Sequence, residues 1–161
     1  MGTKLLNYFA YGSNLHPKRL QSRVGEVTSF VVLKLKSYKL NFNKLSLDGS
    51  SKCNITKSTP DEYVYGVAYK LTLAQKRILD QFESGYSSFS INIDEFGECF
   101  TYIANPPFDD SALPYDWYKI LVILGASYHN FPGSYLNMLG CFSSFEDENK
   151  KRNEDNLSIF Y

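Results

Sequence analysis

Apolar and aromatic residues run almost unbroken from Leu5 to Tyr11, and the run stops at Gly12-Ser13-Asn14. A short apolar run bounded by turn residues predicts a buried strand over 5–11. Asn14 suits a helix N-cap and Pro17 a first helical turn, which predicts a short helix over 15–23 that Gly25 ends. Residues 26–43 hold two β-rich stretches, with period-two alternation clearest from Tyr38 to Phe42. LSLDGSS reads as a loop and KCNITKS as a short strand before the Pro60-Asp61 turn. EYVYGVAYKL (62–71), rich in Tyr and Val, reads as a strand.

Thr72 and Gln75 have capping-box spacing and open a helix to about Glu83, whose Leu73, Ile78, Leu79 and Phe82 suit one face. Residues 87–94 and 98–104 alternate around EFGE and read as a hairpin. An irregular loop, NPPFDDSALP, then leads to a helix from Tyr115 to about Gly125 and another after Pro132. FEDENKKRNEDNL (145–157) is a dense charge run, expected to be a solvated helix or tail. Strands with helices inserted between them, without strict alternation, predict an α+β fold. One domain is expected over 1–142, with 143–161 as its charged C-terminal helix or tail.

A chain of 161 residues with 43% hydrophobic residues builds a core without disulfides or metals. Lys+Arg and Asp+Glu both number 17, which removes the charge imbalance that draws proteins to nucleic acid or anionic membranes. Cys53, Cys99 and Cys141 lack zinc spacing and read as buried free thiols of a reducing compartment. Residues 1–8 hold no signal-peptide core of about 7–15 apolar residues, and Leu6 stands where the Met1-Gly2 myristoylation pattern needs Ser or Thr. A cytoplasmic protein is expected.

Two places carry candidate chemistry. Tyr11-Gly12-Ser13-Asn14 joins a strand end to a helix start, where free N–H groups and the helix dipole suit an anion. The same residues also serve simple capping. Glu83 ends an apolar helix, where the dipole disfavours an acid, although most glutamates are merely solvated. His16 and His129 have no metal-ligand spacing and read as cap or surface residues, so no metal site is expected. Neither a phosphate-binding P-loop, a dinucleotide fingerprint nor a Gly-x-Ser-x-Gly elbow is present.

Together, YFAYGSNL (8–15) and VYGVAYKLTLAQKRILDQFE (64–83), with Leu79-Asp80 placed three residues before Glu83, resemble the gamma-glutamylcyclotransferase family. The resemblance continues through Tyr118-Lys119-Ile120, Gly125-Ala126 and Phe131-Pro132-Gly133-Ser134-Tyr135, so it spans residues 8 to about 140. It implies a small closed mixed β-barrel with flanking helices. It also implies intramolecular cyclisation of a γ-glutamyl group on a small amino acid or amine, releasing 5-oxoproline as in glutathione metabolism. Glu83 would be the general acid/base, with Tyr8, Tyr11, Gly12, Ser13, Asn14, Leu15, Tyr118 and Tyr135 binding substrate. No metal or organic cofactor is implied; the partner is a small γ-glutamyl substrate, and a homodimer stays open.

The chain departs from the family at Ser84, where Gly is usual, and at Phe89 or Ser90, where a pocket tyrosine is expected and for which Tyr86 is a substitute. Asn14 sets it apart from the glutathione-specific branch, which reads Tyr-Gly-Ser-Leu. Whether the leaving residue's carboxylate is recognised depends on a cation, with Lys18, Arg19 and Lys119 near the motifs. The alternative reading is a non-catalytic metabolite-binding or interaction protein of the same fold.

Overall fold

The computed structural model describes residues 4–161; the Met1-Gly2 reading lies outside them. The chain runs β1 (Leu5–Ala10), a 3-10 turn (Ser13–Leu15), α1 (Pro17–Val24), β2 (Phe30–Lys36), β3 (Tyr38–Leu45), β4 (Ser51–Lys57) and β5 (Tyr63–Thr72). There follow α2 (Leu73–Phe82), β6 (Tyr86–Ile93), β7 (Gly97–Ala104), α3 (Asp116–Tyr128), α4 (Gly133–Cys141) and α5 (Lys150–Leu157). This is the α+β fold expected.

β1 and β5 read as near-continuous apolar runs because they lie inside a mixed five-stranded sheet of order β2-β5-β1-β7-β6. β1 pairs antiparallel with β5 along its length and parallel with β7 at Tyr8–Phe100. Phe9, Leu15, Leu20, Leu71, Leu79 and Leu121 are wholly inaccessible and form the centre of the core.

The expected closed barrel does not form. β2 and β6 remain opposite edges of the sheet, linked by an exposed Lys36–Asp94 ion pair at 3.5 Å with no ladder between them. Closure needs first and last strands in a shared stagger. Here β3 and β4 form a separate two-stranded ladder, and their register shifts between Asn41 and Lys44. β4 meets the larger sheet through side chains: Tyr86 OH donates to Cys53 O at 2.7 Å, and Ala104 N–H donates to Asn54 Oδ1 at 3.1 Å.

The Thr72–Gln75 capping box is formed in both directions, yet of the apolar residues expected on one face only Leu79 is buried; Leu73, Ile78 and Phe82 are exposed. α1 starts at Pro17 because His16, not Asn14, caps it: His16 Nδ1 accepts the Lys18 N–H at 3.1 Å. Both histidines cap helices, but they are buried and not on the surface. Cys53 and Cys99 are buried free thiols, whereas Cys141 is exposed.

The charge run is pinned by its own Asp147, which is 2% exposed. Asp147 accepts from Trp117 Nε1 at 2.9 Å and from Arg152 Nε and Nη2 at 2.6 and 2.7 Å. No helix among the described residues is long and apolar enough to cross a membrane.

Candidate active site

The turn after β1 is held from behind by Leu15. Its side chain is wholly buried, and its carbonyl accepts from Tyr69 OH at 2.6 Å and lies 2.8 Å from His129 Nε2. Leu15 N–H closes the turn on Gly12 O at 3.1 Å, leaving the Ser13 and Asn14 N–H groups with no acceptor among the described residues. Gly12 permits this path because a Cβ there would stand 3.1 Å from Cys53 Cβ.

Freed from capping, the Asn14 side chain organises the site. Its Nδ2 donates to Glu83 Oε1 at 2.9 Å and to Tyr8 OH at 3.0 Å, and its Oδ1 accepts from Arg23 Nη1 at 3.2 Å. Glu83 is the C-cap of α2, and its side chain is 14% exposed. Arg23 Nη1 lies 3.6 Å from the same Oε1, and Oε2 has no partner among the described residues.

Burial raises the Glu83 pKa above the ordinary glutamate value, outweighing the lowering effects of Arg23, the Asn14 hydrogen bond and Arg19; Asp80 adds to the rise. The result is a carboxylate kept more basic than usual, with one oxygen unpartnered, on a residue that lines a cavity of about 590 Å³. Tyr8, Tyr11, Gly12, Ser13, Asn14 and Tyr118 line that cavity with Glu83. Tyr118 OH accepts the Cys53 N–H at 3.1 Å, and Tyr11 OH donates to Tyr102 O. The Cys53 thiol, also in the wall, is pushed up to about 12 by burial, so it is no nucleophile at neutral pH.

No family model matches the chain. The human protein named gamma-glutamylcyclotransferase is 28% identical over 144 residues, covering 82% of this chain and 76% of the relative. The mouse protein of that name is 28% identical over 160 residues, 91% of this chain and 84% of the relative. A solved gamma-glutamyl cyclotransferase structure superposes with a TM-score of 0.79 at 26% identity, covering 98% of this chain and 99% of that one. The chain is thus similar in sequence to proteins named gamma-glutamylcyclotransferase and shares the fold of a solved one.

Two residues that the family resemblance assigned to substrate lie elsewhere. Leu15 is behind the loop and contributes its carbonyl to the anchor described above, not its side chain to the cavity. Tyr135 packs against Tyr65 and Phe131, with ring centroids at 5.2 and 5.7 Å, and does not line the cavity. At the departure from the family pattern, Tyr86 lines the cavity while Phe89 and Ser90 point out from β6 as exposed residues.

Of the three cations near the motifs, Arg19 lines the cavity. Lys18 is exposed, and Lys119 donates to Gly140 O at 2.8 Å and to Phe142 O at the end of α4. Sequence reading missed Arg23, Lys44 and Lys52, which also line it. The Arg19/Arg23 spacing of four on one helix face was a usable signal for Arg23.

In this site, Arg23 is the main charge opposing the burial of Glu83. Replacing it with Met should therefore raise the Glu83 pKa further and move the acid limb of kcat/KM to higher pH. Steady-state pH profiles of both proteins check this; an unmoved limb would mean that another group titrates.

Proposed function

We propose that this protein cyclises a γ-glutamyl group on a small amino acid or amine, releasing 5-oxoproline in the cytoplasm, with Glu83 as general acid/base. The relatives' name supports the reaction class. The observation that carries the residue assignment is the partly buried Glu83, its pKa raised and one oxygen free, tied through Asn14 to a loop with unpaired N–H groups.

The reaction needs little from the protein beyond position and a proton carrier. The nucleophilic α-amine is tethered to its target, so five-membered closure benefits from high effective molarity. That amine is mostly protonated at neutral pH and must first give up a proton, for which a carboxylate of raised pKa is a suitable acceptor. The neutral nitrogen then attacks the γ-carbonyl carbon. As the old C–N bond breaks, Glu83 hands that first proton to the leaving nitrogen; as the new C–N bond forms, the ring nitrogen sheds its second proton to Glu83. Glu83 passes this one on too, so it ends as the carboxylate it began as and the amine departs as an ammonium.

The Ser13 and Asn14 N–H groups, beside Gly12, serve the substrate α-carboxylate or the developing oxyanion. Tyr8, Tyr11 and Tyr118 wall the cavity around it. Incubating the protein with γ-glutamyl-L-alanine, γ-glutamyl-ε-lysine and glutathione and measuring 5-oxoproline tests the proposal. Release from at least one is expected. No release from any would leave the loop as a metabolite-binding site and the protein as a non-catalytic member of its fold.

A further inference from the structure

A lysine is seldom buried without a carboxylate, because desolvating its ammonium costs more than one neutral acceptor returns. Lys44 is such a lysine. It is 8% exposed and lines the same cavity as Glu83. Its Nζ donates to Asn105 O at 3.0 Å, and no carboxylate among the described residues pairs with it. An ammonium has three donors, so two remain for a ligand.

Backbone geometry brings Lys44 there. Asn41 pairs with Asn54 whereas Lys44 pairs with Lys52, so β3 carries one residue more than β4 between these points. Such a bulge re-aims a side chain and is common beside active sites. The Lys44 Nζ lies 3.3 Å from where a Cβ on Gly85 would stand, two residues beyond Glu83.

The other cations of the wall are placed differently. Arg23 faces Glu83 at 3.6 Å, and Lys52 is paired with Asp48 at 2.8 Å. Arg19 sits on α1 with Arg23 and donates to Asn156 Oδ1 at 2.9 Å. Glu83 is therefore joined to the Asn14 loop by a hydrogen bond and, two residues on, is followed by the Gly85 turn against which Lys44 packs, all in the wall of one cavity. A γ-glutamyl-amino acid has matching polarity: an α-carboxylate at one end, the scissile amide in the middle and a second carboxylate on the leaving residue.

We propose that Lys44 binds the free carboxylate of the leaving amino acid, so that γ-glutamyl-amino acids are preferred over γ-glutamylamines. This rests on the cyclotransferase reading above and adds a specificity-determining residue to it.

The test compares γ-glutamyl-L-alanine with γ-glutamyl-L-alaninamide, which has the same shape without the charge, in wild type, Lys44→Met and Lys44→Arg. Wild type should prefer the acid in kcat/KM by about 10- to 100-fold, the usual worth of a charged hydrogen bond. Lys44→Met should bring the ratio close to one, mainly through KM, and Lys44→Arg should keep most of the preference. A wild-type ratio near one, or an unchanged ratio in Lys44→Met, overturns the proposal. If circular dichroism shows Lys44→Met misfolded, Lys44→Gln carries the same comparison.

If neither compound yields 5-oxoproline, the cyclotransferase reading fails, and titration calorimetry with the same two compounds still decides Lys44. Tighter binding of the acid, lost on substitution, supports its role; equal binding or none overturns it.

Discussion

Glu83→Gln is expected to lower kcat for 5-oxoproline release by about 10²–10⁴-fold, the usual contribution of a general acid/base. The substitution is nearly isosteric, and its amide oxygen still accepts from Asn14 Nδ2, which holds Glu83 Oε1 at 2.9 Å. What it loses is the ability to carry a proton at the free oxygen. KM should change much less than kcat, because the loop N–H groups and the tyrosine walls do not depend on Glu83. The acid limb of the pH profile, set above the ordinary glutamate range by burial, should vanish with it. Residual turnover would come from the tethered nucleophile and the loop. Single-turnover assays of 5-oxoproline, with titration calorimetry for binding, separate the two effects. Turnover within a few-fold of wild type would take Glu83 out of the chemistry.

The two ends of this site were legible in the sequence for different reasons. Glu83 stood out because an acid at a helix C-terminus works against the dipole. The loop stood out because a strand running into Gly-Ser-Asn is a ready anion site. What joins them was misread: Asn14 looked like a helix cap, since Asn is among the best N-caps. His16 takes that role through its Nδ1, and Asn14 is released to bind Glu83, Tyr8 and Arg23. Local preference named a role that a neighbour two residues away could also fill.

Lys44 carried no signal, because a bulge is a mismatch between two strands and appears in neither strand's own pattern. Barrel closure failed to be foreseen for a related reason: it depends on the stagger between β2 and β6, which are far apart in sequence and never pair. Tyr135 and Leu15 belong to stretches that resemble the family, yet adjacency in a motif put neither side chain in the cavity. The charged tail read as solvated because its composition is polar, whereas one of its carboxylates, Asp147, is buried against Trp117 and Arg152.

The loop's position depends on a residue far from any chemistry, and Gly125→Ala should expose that dependence. A Cβ on Gly125 would stand 2.5 Å from Leu15 Cβ and 2.7 Å from His16 N, closer than packed atoms approach. Only glycine on α3 lets the 3-10 turn lie this close, and the contact involves backbone, which cannot swing aside as a side-chain tip can. Overpacking of this kind costs about 1–3 kcal/mol, which for a chain of this size lowers Tm by roughly 2–12 °C.

The larger effect should be on turnover. The turn carries Asn14 on its cavity side and Leu15 on its core side, so pushing Leu15 away from α3 moves the donor that holds Glu83 Oε1. A displacement of about 1 Å costs on the order of 10²-fold in rate, so kcat/KM should fall about 10- to 100-fold in a protein that still folds. Gly140→Ala is the control: a Cβ there meets nothing within 4 Å, and in α4 it should hold or raise Tm without loss of rate. Thermal melts and 5-oxoproline release on both variants decide the matter. A Gly125→Ala protein with lowered Tm but wild-type turnover would show that the catalytic groups keep their geometry independently of how α3 packs against the turn.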